Sequence, residues 1–336
     1  MINFCQFGAG RIGAIHAGNI ARHSDARLQI VVNPDRAAAE RLAARYGAKI
    51  GSQAEALADA AVDAVVIASS TDTHADLIEA AARAGKAVFC EKPLDLDRRR
   101  AEACVAVARE CGVPMMVAFN RRFDPHFAKL EREIRAGRIG RAELVTIKSY
   151  DPAPPSIAFV RRSGGLFRDM VIHDLDMACW LLAEEPVEIF ARGSVLVDPA
   201  IGEAGDFDTA VASLRMPSGA LCQIAGTRSA VYGYDQRIEV LGERGPWGRY
   251  PQHDPPQQPQ RLKCGNGVKG RRNSAGPTAK HSLVTLSIFS IRSTLSANAG
   301  AASIASRGFR CPSVPTRCLK CGNRGQPTDL GYSCSD

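Results

Sequence analysis

The 336-residue chain has no apolar run approaching the roughly 20 residues needed to cross a bilayer, which excludes a membrane-spanning helix. No secretory leader is expected either: Met1 leads directly into the apolar run Ile2–Phe7 without a basic region, apolar core and cleavage site, so the expectation is a cytoplasmic location. A basic excess is missing from the first 245 residues, which hold 30 Lys or Arg against 32 Asp or Glu. The overall charge of +8 therefore arises in 246–336, where 13 basic residues face only Asp254, Asp329 and Asp336. An electrostatic footprint for nucleic acid or an anionic membrane is thus absent from the larger part of the chain. Close cysteine pairs are absent there too. Cys5, Cys90, Cys104, Cys111, Cys179 and Cys222 stand singly in apolar strand or helix contexts, where a reduced thiol behaves as a small hydrophobe. What remains, 45% hydrophobic and 23% charged, is an ordinary globular composition in a chain long enough for two domains.

Apolar runs and helical patterns alternate from the start. Ile2–Phe7 reads as a strand, glycines follow at 8, 10 and 13, and a helical pattern runs to about His23. Leu28–Val32 is a second strand, leading through Asn33 and Pro34 into an Ala-rich helix that ends near Tyr46 and Gly47. Strands at Ala64–Ala68, Ala87–Cys90 and Met115–Phe119 then alternate with helices at His74–Ala84 and Leu96–Cys111, the pattern of a doubly wound parallel sheet. After about residue 124 one helix, Pro125–Ala136, precedes longer strands at Ala142–Ser149, Val187–Val197, Thr209–Met216, Ala220–Thr227 and Gln236–Leu241. The expected architecture is α/β: a dinucleotide-binding domain over 1–120, then an α+β domain on an open, mainly antiparallel sheet over 121–245.

Three motifs carry chemistry. Gly8-Ala9-Gly10-Arg11-Ile12-Gly13 fits the dinucleotide fingerprint, in which glycines permit a tight turn, close approach of a pyrophosphate and close helix packing. A glycine turn without a ligand has the same residues, but here the turn follows a strand and opens a helix. Asn33 stands 20 residues past Gly13, where an acid usually holds the adenosine ribose, with Asp35 and Arg36 just beyond. Asn bonds a hydroxyl but repels no phosphate, so NAD is favoured, with an Arg36 contact to the 2′-phosphate of NADP as the rival. Glu91-Lys92-Pro93 ends a buried strand at the sheet edge where open α/β sheets bind ligands. An ammonium there can stabilise alkoxide charge as hydride leaves, although a surface lysine after a strand would look the same. In Asp169–Asp176, a helix start, the four-residue interval puts Asp169 and His173 on one face, and a carboxylate beside an imidazole suits the latter to act as a base. An N-cap Asp followed by a helix histidine is the structural alternative.

These motifs, in this order, resemble the Gfo/Idh/MocA oxidoreductase family. The resemblance implies a Rossmann domain followed by an α/β domain, with Lys92, Asp169 and His173 as the catalytic lysine, aspartate and histidine. Thr71-Asp72-Thr73-His74, Phe119-Asn120-Arg121-Arg122-Phe123-Asp124, Arg168–Asp174 and Tyr232-Gly233-Tyr234-Asp235 resemble segments of inositol-oxidising members. That likeness implies NAD-dependent oxidation of the axial hydroxyl of myo-inositol to the inosose, with another polyol or sugar, or a non-catalytic nucleotide-binding remnant, as alternatives. It further implies cofactor contacts from Gly8, Gly10, Arg11, Ile12, Gly13, Asn33, Asp35, Arg36, Thr71, His74, Glu91 and Arg121. The substrate ring would meet Asn120, Arg121, Asp151 and Tyr234 beside the catalytic three, and the subunits would form sheet-to-sheet homotetramers. Specificity for an uncharged, all-hydroxyl ring then comes from several hydrogen bonds.

From about Pro246 the texture fails. No Glu follows Glu243, prolines crowd at 255, 256 and 259, and patterning, propensity and capping no longer agree. Residues 246–336 read as a frameshifted, disordered ending that departs from the family's. Cys318-Leu319-Lys320-Cys321, with Cys311 and Cys334, resembles a zinc knuckle in a basic context, the nucleic-acid rival. A ribbon expects two close pairs, however, and shifted GC-rich codons yield the same residues by chance, so no metal and no nucleic-acid partner is expected.

Overall fold

The computed structural model describes residues 1–247, which leaves the zinc-knuckle motif and nearly all of the atypical ending outside the described residues. The described chain divides into two compact units between Phe123 and Asp124.

The first unit alternates β1 (Ile2–Phe7), α1 (Arg11–Arg22), β2 (Ala26–Val32), α2 (Arg36–Tyr46), β3 (Lys49–Ile50), α3 (Gln53–Ala58), β4 (Ala64–Ile67), α4 (His74–Arg83), β5 (Ala87–Cys90), α5 (Arg98–Glu110) and β6 (Met115–Val117). Its six strands are all parallel in the order β3-β2-β1-β4-β5-β6. A parallel sheet covered by helices on both faces needs apolar side chains on both, which is why its strands read as continuous hydrophobic runs. In β1, Phe4 enters a core with Ile20, Val66 and Phe89, while Cys5 and Phe7 enter another with Val65, Ile67 and Ile78. Burial pushes the Cys5 thiol up to about 12, so it packs as a neutral group. The strand order reverses between β1 and β4, and the register Phe7↔Ile67 and Ile67↔Cys90 brings the carboxyl ends of β1, β4 and β5 to one edge. Such a switch point is where open α/β sheets take their ligands. The small elements β3 and α3 fall in a stretch for which the sequence pattern predicts nothing; α3 is nucleated by a reciprocal capping box between Ser52 and Glu55.

The second unit contains α6 (Pro125–Arg135), β7 (Ala142–Tyr150), α7 (Ile157–Ser163), a π-helical turn (Phe167–Val171), α8 (Ile172–Leu182), β8 (Glu188–Ser194), α9 (Pro199–Glu203), β9 (Thr209–Arg215), β10 (Leu221–Thr227), β11 (Asp235–Gly242) and β12 (Gly245–Trp247). Its sheet runs β12-β11-β7-β10-β9-β8 and is antiparallel except for the β7–β10 pair. Alternation along the strands turns Val145, Ile147, Leu214, Ile224 and Val240 into a core shared with Phe127 and Leu130 of α6 and Leu175 and Leu181 of α8. The opposite face remains exposed, and it carries Leu144, Phe190, Val211, Leu221 and Leu241.

Candidate active site

In the first unit the glycine turn closes directly onto the switch point. Gly8 sits at φ +101°, and a side chain there would meet the Ala68 carbonyl oxygen at 2.4 Å; one at Gly13 would meet the Gly8 oxygen at 2.2 Å. Those two glycines therefore let β1, the turn and α1 pack without a gap. Gln6, fully buried in β1, staples the same turn by donating from Nε2 to the carbonyls of Gly8 (2.8 Å) and Gly13 (2.9 Å). Around Gly10 a side chain would meet nothing within 4 Å. Gly10 is also the N-cap of α1, supplies no side-chain cap, and no acid follows in the first turn. Open space beside uncapped helix N–H groups fits the pyrophosphate of a dinucleotide.

Asn33 braces this turn. Its side-chain oxygen accepts the Ala9 N–H at 3.0 Å, and its amide donates to the Asp35 carbonyl at 2.9 Å. Asp35 caps α2 through the Ala38 N–H, and Arg36 is an exposed side chain paired with Glu40 one turn on. Arg11 and Ile12 begin α1, and Thr71 lies in the short 3-10 turn before α4. Asn120 and the buried Arg121 lie in another short turn just past β6.

The strand end carrying Lys92 is held on both sides. Before it, Glu91 accepts a hydrogen bond from His16 Nε2 of α1 at 2.7 Å. Burial pushes the Glu91 carboxyl up, but the bond from His16 and the neighbouring positive charges outweigh this and hold it below the usual carboxylate range. The carboxylate is thus the acceptor, which fixes the His16 proton on Nε2. After it, the Pro93 carbonyl accepts from Nδ1 of the buried His74, at the start of α4, at 2.8 Å. Lys92 itself is half-buried at the same edge as the glycine turn.

In the second unit the parallel pair decides the layout. Thr227↔Tyr150 and Asp235↔Tyr150 are register partners, so Asp151 after β7, Arg228 after β10 and Tyr234 before β11 leave the sheet at one edge. The four-residue spacing predicts that Asp169 opens an α-helix shared with His173. Instead α8 begins at Ile172, and Asp169 lies in the π-helical turn ahead of it, so it is not an N-cap. A π-turn holds an extra residue, so the angle between Asp169 and His173 is set by the π-turn as well as by their four-residue spacing; such turns concentrate at functional sites. Asp169 and His173 are both half-buried. Two residues were passed over by the sequence reading. His16 looks like part of the apolar stripe of α1, and Arg228 like a polar loop residue, yet Arg228 is 1% exposed and 3.6 Å from the Asp169 carboxylate.

The comparisons with known proteins agree with this geometry. Residues 2–119 match an oxidoreductase family with an NAD-binding Rossmann fold, and 127–247 match the GFO/IDH/MocA C-terminal domain. The inositol 2-dehydrogenase of Rhizobium meliloti (strain 1021) is 52% identical over 244 residues, 73% of this chain and 74% of that protein. The chain belongs to the Gfo/Idh/MocA oxidoreductase family. Among solved structures of similar proteins, a myo-inositol dehydrogenase from Corynebacterium glutamicum is 35% identical with a TM-score of 0.77, covering 87% of this chain and 89% of that one. The scyllo-inositol dehydrogenase of Lactobacillus casei, solved with NAD(H) and scyllo-inositol bound, is 26% identical with a TM-score of 0.73 and 91% coverage of each chain. As a Gfo/Idh/MocA oxidoreductase, this chain takes NAD on its first unit, in keeping with the open helix N-terminus at Gly10.

Proposed function

We propose that this oxidoreductase oxidises a ring hydroxyl of myo-inositol to the ketone, giving the inosose. The observation that carries the reading is the braced strand end. Lys92 leaves β5 beside the glycine turn, fixed by the His16–Glu91 and His74–Pro93 hydrogen bonds, where an ammonium serves a substrate oxygen. NAD supplies the hydride acceptor. In this reading His173 removes the hydroxyl proton, Asp169 orients His173, and Lys92 stabilises the negative charge on oxygen. Asn120, Arg121, Asp151 and Tyr234 hydrogen-bond the remaining hydroxyls, and discrimination among rings follows from donors and acceptors left unpaired by a wrong one. Identity of 52% to a named inositol 2-dehydrogenase favours the inositol ring over other polyols. Lys92→Ala is the test: turnover of myo-inositol, followed by NADH absorbance, is expected to vanish while NADH still binds. Normal turnover by that variant would overturn the assignment.

The reading includes a cytoplasmic homotetramer. Supporting it, Leu144, Leu221 and Leu241 are register neighbours across β10-β7-β11 and form an exposed apolar row on the outer sheet face, which also exposes Val211 and Phe190 further along β9 and β8. A patch of this kind marks an association surface. Cys5, Cys90, Cys104 and Cys222 are buried and unbridged, as in a reducing compartment. For 246–336 we propose a shifted reading frame. The loss of Glu after residue 243 supports it, as does a family match that ends at 247. Resequencing the gene near codon 246 tests it, and one uninterrupted frame with no Glu-containing alternative would refute it.

A further inference from the structure

Arg228 is the largest of the fully buried side chains among the described residues. Its backbone N–H donates to the Asp208 carbonyl at 2.8 Å, fixing where the chain leaves β10. Of its two terminal nitrogens, Nη1 donates to Asp206 Oδ2 at 3.0 Å. Asp206 in turn accepts the Leu166 N–H at 2.9 and 3.1 Å, immediately before the π-helical turn. The other nitrogen, Nη2, is buried without a hydrogen-bond partner and lies 3.6 Å from Asp169 Oδ2.

A guanidinium is always charged and carries several donors, and leaving one of them buried and unbonded is costly. An anchor for Leu166 needs only the Asp206 arm. The second arm is explained by its neighbour: it stands just short of hydrogen-bond distance from the carboxylate of Asp169. Contacts of this kind are often long before the substrate is bound and tighten in the complex. We propose that Arg228 is a positioning residue, with one arm fixed on Asp206 and the other holding the Asp169 carboxylate in place while it orients His173. The proposal rests on the catalytic reading of Asp169.

The experiment is a double-variant cycle on the full chain with Arg228→Met, Asp169→Asn and both together, read as kcat, KM for myo-inositol and NADH affinity. Loss of a charge-assisted bond predicts a fall in kcat of about 10- to 100-fold for Arg228→Met, with NADH affinity unchanged. If Arg228 acts through Asp169, the double variant is no slower than Asp169→Asn alone. Losses that multiply, or an unimpaired Arg228→Met beside an impaired Asp169→Asn, overturn the proposal alone. An Asp169→Asn variant of undiminished kcat overturns the catalytic reading of Asp169 and this proposal with it. Should Arg228→Met fail to fold by circular dichroism, the same cycle on Arg228→Lys decides. Lysine keeps the charge but cannot bridge both carboxylates, so a smaller kcat loss is expected that disappears in the Asp169→Asn background. A loss that persists there overturns the proposal.

Discussion

Removing the His16 imidazole tests whether α1 braces the strand end that carries Lys92. In His16→Ala the 2.7 Å bond to the ionised Glu91 is lost, and a hydrogen bond to a charged group contributes about 1.5–3 kcal/mol. The edge-on contact of His16 with Phe89, ring centroids 5.1 Å apart, is lost as well, worth about 0.5–1.5 kcal/mol. Together these come to about 2–4.5 kcal/mol, which at about 1.4 kcal/mol per tenfold is a 30- to 2000-fold rise in local opening. Amide hydrogen exchange followed by mass spectrometry reads this directly in peptides covering α1 and β5, with α6 as the unaffected reference. Glu91→Gln is the companion: it keeps an acceptor for His16 but removes the charge, so its effect is smaller. Its pH dependence has a fixed sign. The folded-state value for Glu91 is depressed, so its stabilising contribution is complete above the usual carboxylate range and is lost as the pH falls through the lower folded value. The gap between the parent chain and Glu91→Gln is therefore flat near neutrality and closes in acid. Exchange in His16→Ala accelerated less than about fivefold, well under the 2 kcal/mol lower bound, or confined to α1, would refute the bracing argument.

Gly13→Ala places a methyl group 2.2 Å from the Gly8 carbonyl oxygen; overpacking of about 1–3 kcal/mol predicts NADH binding weakened about 5- to 140-fold in a fluorescence titration. Asp208, buried, accepts the backbone N–H groups of Leu196, Val197 and Asp198, and these bonds outweigh burial and hold its carboxyl below the usual range. Asp208→Asn is expected to cost about 2–3 kcal/mol in urea unfolding at neutral pH, a difference lost as the pH falls through the depressed folded value of Asp208. Val211→Glu combined with Leu221→Glu charges the outer sheet face and is expected to convert a tetramer to smaller species in light scattering, with secondary structure retained; an unchanged mass would exclude that face as the interface.

What could be read from sequence follows from how local each signal is. The glycine turn, the buried strands and the strand-end lysine are legible because a few consecutive residues determine each one. The outer face of the second sheet is legible in the alternation of β9 and β10. The partner of Glu91 is not, since His16 lies 75 residues earlier on a helix whose apolar stripe accounts for it equally well. Asn33 reads as a ribose ligand because its place in the motif is the acid's, and its bonds to Ala9 and Asp35, which use one acceptor and one donor of the amide, are not readable from the sequence. Arg228 looks like any polar residue after a strand. Only the convergence of Asp206 and Asp169, from two other segments, shows why a cation is buried there. The π-turn is hidden for another reason: Phe167 to Val171 contain neither glycine nor proline, so nothing in them marks a departure from α-helical spacing.

That wider turn constrains how the chain can change. An α-helix advances about 100° per residue, so deleting residue 170 or 171 would turn the carboxylate at 169 by about that angle around the axis relative to the imidazole at 173. Substitutions leave this phase intact, whereas a one-codon deletion resets it. An exchange of side chains between 167 and 171 keeps the angle between the two groups, and a change of length there does not.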